Sequence, residues 1–432
     1  MDIRIPYDAF TLDNGLRVVV HRDHTAPLVC VNVWYHVGSR DEVPGRTGFA
    51  HLFEHLMFTG SENVPEGQFD ALLERVGAVN NGSTSPDRTN YWEVLPAHAL
   101  DLALWLEADR MGGLLPAITN AQLEAQRGVV INERRQSYEN RPYGLASETL
   151  LAALYPDSHP YQWPVIGHMA DIEAATLDDV HRFCRGYYTP TNATLAIAGD
   201  VSLDHARGSV ERWFGDIPPG AVVSRAAPPL PVLGTDRPIT LEDEVGLPRL
   251  YMAWHSPASF AAGDAALDAA SGVLAHGRAS RLHRALVYER QVAQAVTAYQ
   301  SSSLLGSTFR IIATARPDVP LATLETAIRD ELQSIARDGI SQDELDRARN
   351  GIETGFVDAL QSVGGFGGRA DQLNLYLFHT GEPDFASRDL ARYHALTTAD
   401  VVAAAGEHLL RPAVVLSVVP HGRIDLAARE TA

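Results

Sequence analysis

The feature that most limits how this chain can fold is an internal duplication. The second half repeats the local signals of the first at an offset of about 220 residues, a period far longer than that of any solenoid repeat. The run Val31-Asn32-Val33-Trp34-Tyr35-His36 is answered by Leu250-Tyr251-Met252-Ala253-Trp254-His255, with Trp34 and Trp254 in register. A helix start of T-x-x-Q form at Thr119 and Gln122 is echoed by S-x-x-E at Ser341 and Glu344, and Leu123 by Leu345. Thr176-Leu177-Asp178-Asp179-Val180 has its counterpart in Thr397-Thr398-Ala399-Asp400-Val401; a helix and then an apolar strand are predicted after each. Asp13-Asn14-Gly15 is hairpin-turn chemistry between β-rich runs. Strands so often adjacent in sequence favour helices layered on a largely antiparallel sheet in each half, an α+β fold, over a doubly wound one. The expected domains are 1–224 and 236–432, joined by the Pro-rich stretch 225–235.

Only the first half carries His51-Leu52-Phe53-Glu54-His55. On a helix, residues i and i+4 share a face, so His51 and His55 can reach one metal ion. Glu54 lies on that face too, where a carboxylate can take a proton from a metal-activated water. The order is H-x-x-E-H, the inverse of the commoner zinc-protease motif. In a chain with 17 histidines such a match is weak by itself, and an amphipathic helix with two satisfied histidines is the plain alternative. The neighbours decide against it. Phe49, Leu52, Phe53, Leu56, Met57 and Phe58 make the turns apolar, Thr47 is the expected N-cap and Gly60 the expected stop. Two histidines and a glutamate buried together are costly unless a cation pairs with them.

At 432 residues and 45% hydrophobic, the chain can bury large cores. No apolar run approaches the roughly eighteen residues of a membrane span. The first residues show no signal peptide, so the expected compartment is the cytoplasm, or the periplasm had a signal been removed. Cys30 and Cys184 are too few for a disulfide framework or a thiolate zinc site. A net charge of −19 argues against a nucleic-acid partner. The acidity serves solubility or, less simply, an acidic chamber that favours basic peptides.

Two histidines and a water leave a tetrahedral zinc one ligand short, and a carboxylate from a second helix is the usual completion. The predicted helix from Gln122 to Tyr138 offers Glu124, Glu133 and, just past its end, Glu139. With Val129-Val130-Ile131-Asn132-Glu133-Arg134 placed 78 positions past His55, the chain resembles the zinc peptidases that include pitrilysin, insulin-degrading enzyme and the mitochondrial processing peptidase. The run from Asn132 to Gly144 is especially similar to bacterial members. The resemblance spans nearly the whole chain. It implies Zn²⁺ held by His51, His55 and Glu133, with Glu54 as general base, in a two-domain fold whose second copy has lost the metal; the position answering Glu133 is Gly355. It also implies that Asn80-Asn81-Gly82-Ser83-Thr84 is an edge strand, with Asn81, Gly82, Ser83 and Thr84 binding substrate through main-chain hydrogen bonds. Asn-Gly turn chemistry is the competing expectation there.

Two departures from the family pattern carry consequences. Many relatives have a glutamate seven residues before the distal ligand; here that position is Gln126, an expected second-layer support for the metal. Active members also place an Arg and a Tyr seven apart in the non-metal half, to stabilise the oxyanion; here those positions hold Val287 and Gln294. Arg281 and Tyr288 have the right separation, but Arg281 matches a different arginine of the family. The resemblance therefore implies a peptide-hydrolysing heterodimer. The related partner would lack the zinc motif but carry the Arg and Tyr, and the two chains would close like a clamshell around a chamber. A homodimer that uses Arg281 and Tyr288, and a non-catalytic core subunit like those of respiratory complexes, are the rival expectations. The Gly364–Gly368 run is expected to serve at a helix end.

Overall fold

The computed structural model describes residues 3–225 and 227–429. It contains two sheets. The first orders its strands β1-β2-β6-β3-β5-β4, where β1 is Asp8–Thr11, β2 Arg17–Arg22, β3 Leu28–Tyr35, β4 Val79–Thr84, β5 Thr89–Pro96 and β6 Ala193–Gly199. The second orders β7-β11-β8-β10-β9, where β7 is Arg237–Asp243, β8 Arg249–Ser256, β9 Ala293–Ser301, β10 Ser307–Ala315 and β11 Val414–Pro420. Apart from β1, the two orders are the same. Each sheet is antiparallel except for one parallel pair, β2 with β6 and β7 with β11, at equivalent places. Trp34 and Trp254 fall on the equivalent strands β3 and β8. The fold is α+β, and the duplication is visible in its topology.

The turn at Asp13-Asn14-Gly15 closes the β1–β2 hairpin, with Gly15 at φ +88°, a conformation that glycine adopts without strain. The paired helix starts also form as the residue types dictate. Thr119 and Gln122 exchange hydrogen bonds, as do Ser341 and Glu344, Thr176 and Asp179, and Thr397 and Asp400.

Two compact units emerge. One holds residues 3–134, 163–225 and 356–387; the other holds 135–162, 227–355 and 388–429. The chain passes between them inside the Pro-rich join, but each unit also contains a stretch from the opposite half of the sequence. In the first unit, the helix Arg369–Thr380 lays Ala370, Leu373 and Leu377 against Val19, Cys30, Trp92, Ala196 and Ala198 of the sheet. In the second, the helix Ala146–Leu154 lays Ala146, Leu150, Ala153 and Leu154 against Tyr251, Ala253, Val414, Leu416 and Val418. Burying a leucine there in full is worth about 1.5–3 kcal/mol, so each foreign helix is a real part of its core. Among the described residues, no helix is long and apolar enough to cross a membrane.

Candidate metal centre

The histidine helix, Phe49–Leu56, buries Phe49, Ala50, Leu52, Phe53 and Leu56 and leaves His51, Glu54 and His55 on its remaining face. Its N-terminus differs from the sequence expectation. Thr47 does not cap it: the Thr47 hydroxyl donates to Asp171 at 2.6 Å and accepts from the His168 N–H at 2.9 Å. The helix begins instead at Gly48, with φ +83°, where an added Cβ would lie 2.4 Å from the Ile172 side chain and 2.7 Å from a main-chain oxygen. The orphan N–H groups are satisfied from a distance by Glu42. Its carboxylate, buried at 7% exposure, accepts from the Gly48 and Ala50 N–H groups at 2.8 Å each and from Trp163 Nε1 at 3.0 Å. Burial, with the nearby Asp41 charge, pushes the Glu42 pKa up, and its three N–H donors act against that rise.

Glu133 sits near the end of the helix Asn120–Arg134. Two ties hold this helix to the histidine helix. At one end Gln122 Nε2 donates to the Thr59 carbonyl at 3.0 Å; at the other, Arg134 donates to the Gly167 carbonyl at 2.8 Å, and Gly167 rests directly against Gly48. The result is convergence. Glu133 Oε2 lies 3.7 Å from His51 Nε2 and 3.4 Å from His55 Nε2, and one ligand atom from each of the three residues falls within 4.8 Å of the others. Glu124 is elsewhere, paired with Arg127 at 3.1 Å on an exposed surface.

Electrostatics match that arrangement. Burial, together with the neighbouring His55 ring, lowers the His51 pKa to about 4, so its imidazole is neutral at physiological pH with a lone pair available. The Glu133 pKa is lowered by its hydrogen bond with His55 and by the two histidines. Two imidazole nitrogens and one carboxylate oxygen form a donor set that suits Zn²⁺, with a fourth position left for water or substrate.

Glu54 points at the strand edge rather than at the ligands. Thr84 Oγ1 donates to Glu54 Oε2 at 2.5 Å. Burial raises the Glu54 pKa, and the Thr84 hydrogen bond and His55 act against that rise. The strand comes so close that a Cβ on Gly82 would lie 3.3 Å from Glu54 Oε1 and 3.1 Å from the Tyr91 ring. Asn81 and Gly82 are therefore not a turn. They lie inside β4, the edge of the six-stranded sheet, paired only to β5. The Gly82 N–H donates to the Asn81 side-chain oxygen at 2.8 Å, and the Ser83 hydroxyl donates to Asn90 at 2.6 Å. Gln126 is half-buried on the Glu133 helix and makes no hydrogen bond to the three ligands. Two residues escaped the sequence reading. Glu42 sits six positions before the helix start it caps, and Arg88 donates to both Ser83 oxygens at 2.7 and 3.0 Å, bracing the edge strand. The only sequence sign of either was an acidic or basic residue in a polar loop.

In the second unit, Val287 packs on the core and Gln294 is exposed on β9. Arg281 is committed elsewhere: it grips Glu344 through two hydrogen bonds of 2.7 and 2.9 Å and donates to the Gly339 carbonyl at 2.8 Å.

The insulinase family (peptidase family M16) profile matches residues 17–162, and the profile of the peptidase M16 inactive domain matches residues 174–352. The chain is 32% identical over 363 residues to the zinc protease PqqE of Helicobacter pylori, covering 82% of this chain and 80% of that one. The chain belongs to peptidase family M16. The uncharacterized zinc protease YmxG of Bacillus subtilis is 26% identical over 82% of this chain and 84% of its own. A crystal structure of a protease from Helicobacter pylori superposes with a TM-score of 0.87 at 29% identity, covering 97% of this chain and 100% of that one. A peptidase M16 inactive domain from Pseudomonas fluorescens shares the fold, with a TM-score of 0.84 at 19% identity over 96% and 98% of the two chains. In this M16 chain, the matched insulinase segment contains the whole His51, Glu54, His55 and Glu133 constellation.

Proposed function

We propose that this chain is the metal-binding subunit of a zinc-dependent endopeptidase acting on extended peptides or unfolded segments. The observation that carries the reading is the convergence of His51, His55 and Glu133 next to a carboxylate that faces an open strand edge. These three residues would hold one Zn²⁺, which when bound supplies a Lewis acid for the scissile carbonyl and acidifies water. Glu54 takes a proton from the attacking water as the C–O bond forms, then delivers it to the leaving amine as the C–N bond breaks. The Thr84 hydroxyl holds Oε2 in the carboxylate form and leaves Oε1 free for that exchange. The β4 edge holds the peptide as an added strand, with Asn81, Gly82, Ser83 and Thr84 as the grip.

The oxyanion donors come from another chain. With Val287 on the core and Arg281 bound to Glu344, this subunit lacks the pair, a deficit of about 3–4 kcal/mol in transition-state stabilisation. A related subunit that carries Arg and Tyr but no zinc motif would supply it. Mutation of Glu54→Gln should abolish hydrolysis by the chain with its co-purifying relative, while bound zinc stays near one per chain. Hydrolysis that survives the mutation refutes the assignment.

A further inference from the structure

Phe366 is 51% exposed, yet the loop that carries it is firmly built. The Gly367 N–H donates to Asp371 Oδ2 at 2.8 Å, the Arg369 N–H to the Ser362 carbonyl at 3.0 Å, and the Ser362 hydroxyl to the Gly364 carbonyl at 2.6 Å. Gly364 is seated on the sheet, where a Cβ would lie 2.4 Å from Cys30 Sγ. Gly365 and Gly367, at φ +83° and +76°, turn the chain on either side of the phenylalanine. Its ring meets the Trp92 ring edge-on at 5.5 Å.

Trp92 lies opposite Asn81 in the β4–β5 register and packs with Ala370 and Leu373. Ser83 reaches the same face, because its hydroxyl bonds Asn90, whose amide donates to Asp371 at 3.2 Å. By strand alternation Val79, Asn81 and Ser83 share that face, and Val79 is 62% exposed. Asp371 thus anchors the Phe366 loop directly and the edge strand through Asn90. A single exposed phenylalanine needs no explanation. A fixed one, set against Trp92 on the face that Val79 shares, beside an edge whose Gly82 N–H is parked on its neighbour's side chain, has a use.

We propose that Phe366, Trp92 and Val79 form a subsite for one large apolar side chain of a peptide paired to β4, which rests on the peptidase reading above. Every second side chain of an added strand falls on this face, so a single register position should prefer Phe, Leu, Met or Tyr. An acidic side chain there would be desolvated on the face that already holds the Asp371 carboxylate, and is disfavoured. The selection acts on peptide sequence, whereas the main-chain grip of β4 does not.

The test uses zinc-loaded Glu54→Gln protein with its co-purifying relative, and labelled alanine-based peptides in which one phenylalanine is moved a position at a time. Fluorescence anisotropy gives each Kd. One position should bind about tenfold tighter than the all-alanine peptide, and aspartate there should not. Phe366→Ala should erase that preference while leaving the all-alanine Kd unchanged; Phe366→Leu should keep most of it. A preference that survives Phe366→Ala overturns the subsite and leaves the peptidase reading standing. So does a Phe366→Ala protein that loses its relative on sizing but keeps the preference, which marks Phe366 as a subunit contact. Failure of every peptide to bind removes the peptidase reading first, and the subsite with it.

Discussion

Replacing Glu42 probes whether the distant cap of the histidine helix governs the metal site. In Glu42→Ala the Gly48 and Ala50 N–H groups lose their acceptor in a buried setting, while Trp163 Nε1 keeps its second acceptor, the Ser39 carbonyl at 3.0 Å. An unsatisfied buried donor costs about 1–3 kcal/mol, and the two are adjacent enough that their losses overlap. The expected destabilisation is therefore about 2–4 kcal/mol, a sizeable part of the roughly 5–15 kcal/mol that holds a domain folded. Glu42→Gln is the gentler probe. Its amide oxygen can occupy the Oε2 position, which serves both Gly48 and Trp163, but its NH₂ then faces the Ala50 N–H; the loss should be about 1–3 kcal/mol. Because Ala50 immediately precedes His51, a frayed first turn moves one ligand relative to the others. Zinc affinity of Glu42→Gln should fall about 10- to 100-fold, as when groups that orient metal ligands are removed. Urea denaturation of the metal-free protein measures the first effect, and competition against a zinc-chelating dye measures the second. Unchanged stability would refute the cap. Lowered stability with unchanged zinc affinity would refute its link to ligand geometry.

Other outcomes follow from the same contacts. Thr84→Val removes the hydroxyl that stabilises the Glu54 carboxylate, so the Glu54 pKa rises further; the acid limb of the pH–rate profile should move to higher pH, and an unmoved limb refutes the role. In the second unit, burial and the charge of Asp264 raise the Asp268 pKa to about 7. A carboxyl with a folded pKa above its unfolded value favours folding at low pH, and that contribution is lost as pH rises from about 4 through 7. Asp268→Asn should flatten this decline and be more stable than the parent at pH above 7 by up to about 4 kcal/mol, read by denaturation across pH. An equal decline in both proteins would rule out Asp268 as its source.

What could be foreseen from the residues was mostly local or periodic. The capping pairs at Thr119 and Ser341 needed only three-residue spacings, and the duplication, though not the strand order it produces, was legible from repeated signals such as Trp34 and Trp254. The convergence of His51, His55 and Glu133 was legible because two of them share one helix and the third was located by family resemblance. Long-range choices were not legible. Thr47 had the chemistry of a cap, but Asp171 and His168 claimed its hydroxyl, and Glu42 took the vacancy through space. Asn81-Gly82 read as a turn by composition; in the structure the glycine answers to the proximity of Glu54 and Tyr91 instead. Nor did any spacing indicate that the helices Ala146–Leu154 and Arg369–Thr380 each complete the sheet of the opposite sequence half.

That exchange of helices bears on how the protein is made. The unit with the metal centre has its β-strands finished at Gly199, yet Asn32 and Trp34 find the Asp371 carboxylate, and Ile5 finds Asp384, only when the distant helix arrives. Nearly two hundred further residues must be synthesised first, roughly 10–40 seconds at ordinary elongation rates. Through that interval the nascent sheet has an uncovered apolar face and Asn32, Trp34 and Asn90 lack their shared acceptor. A ribosome-bound fragment therefore carries His51, His55 and Glu133 well before it carries the Asp371 carboxylate that Asn90, next to the edge strand, bonds in the finished protein.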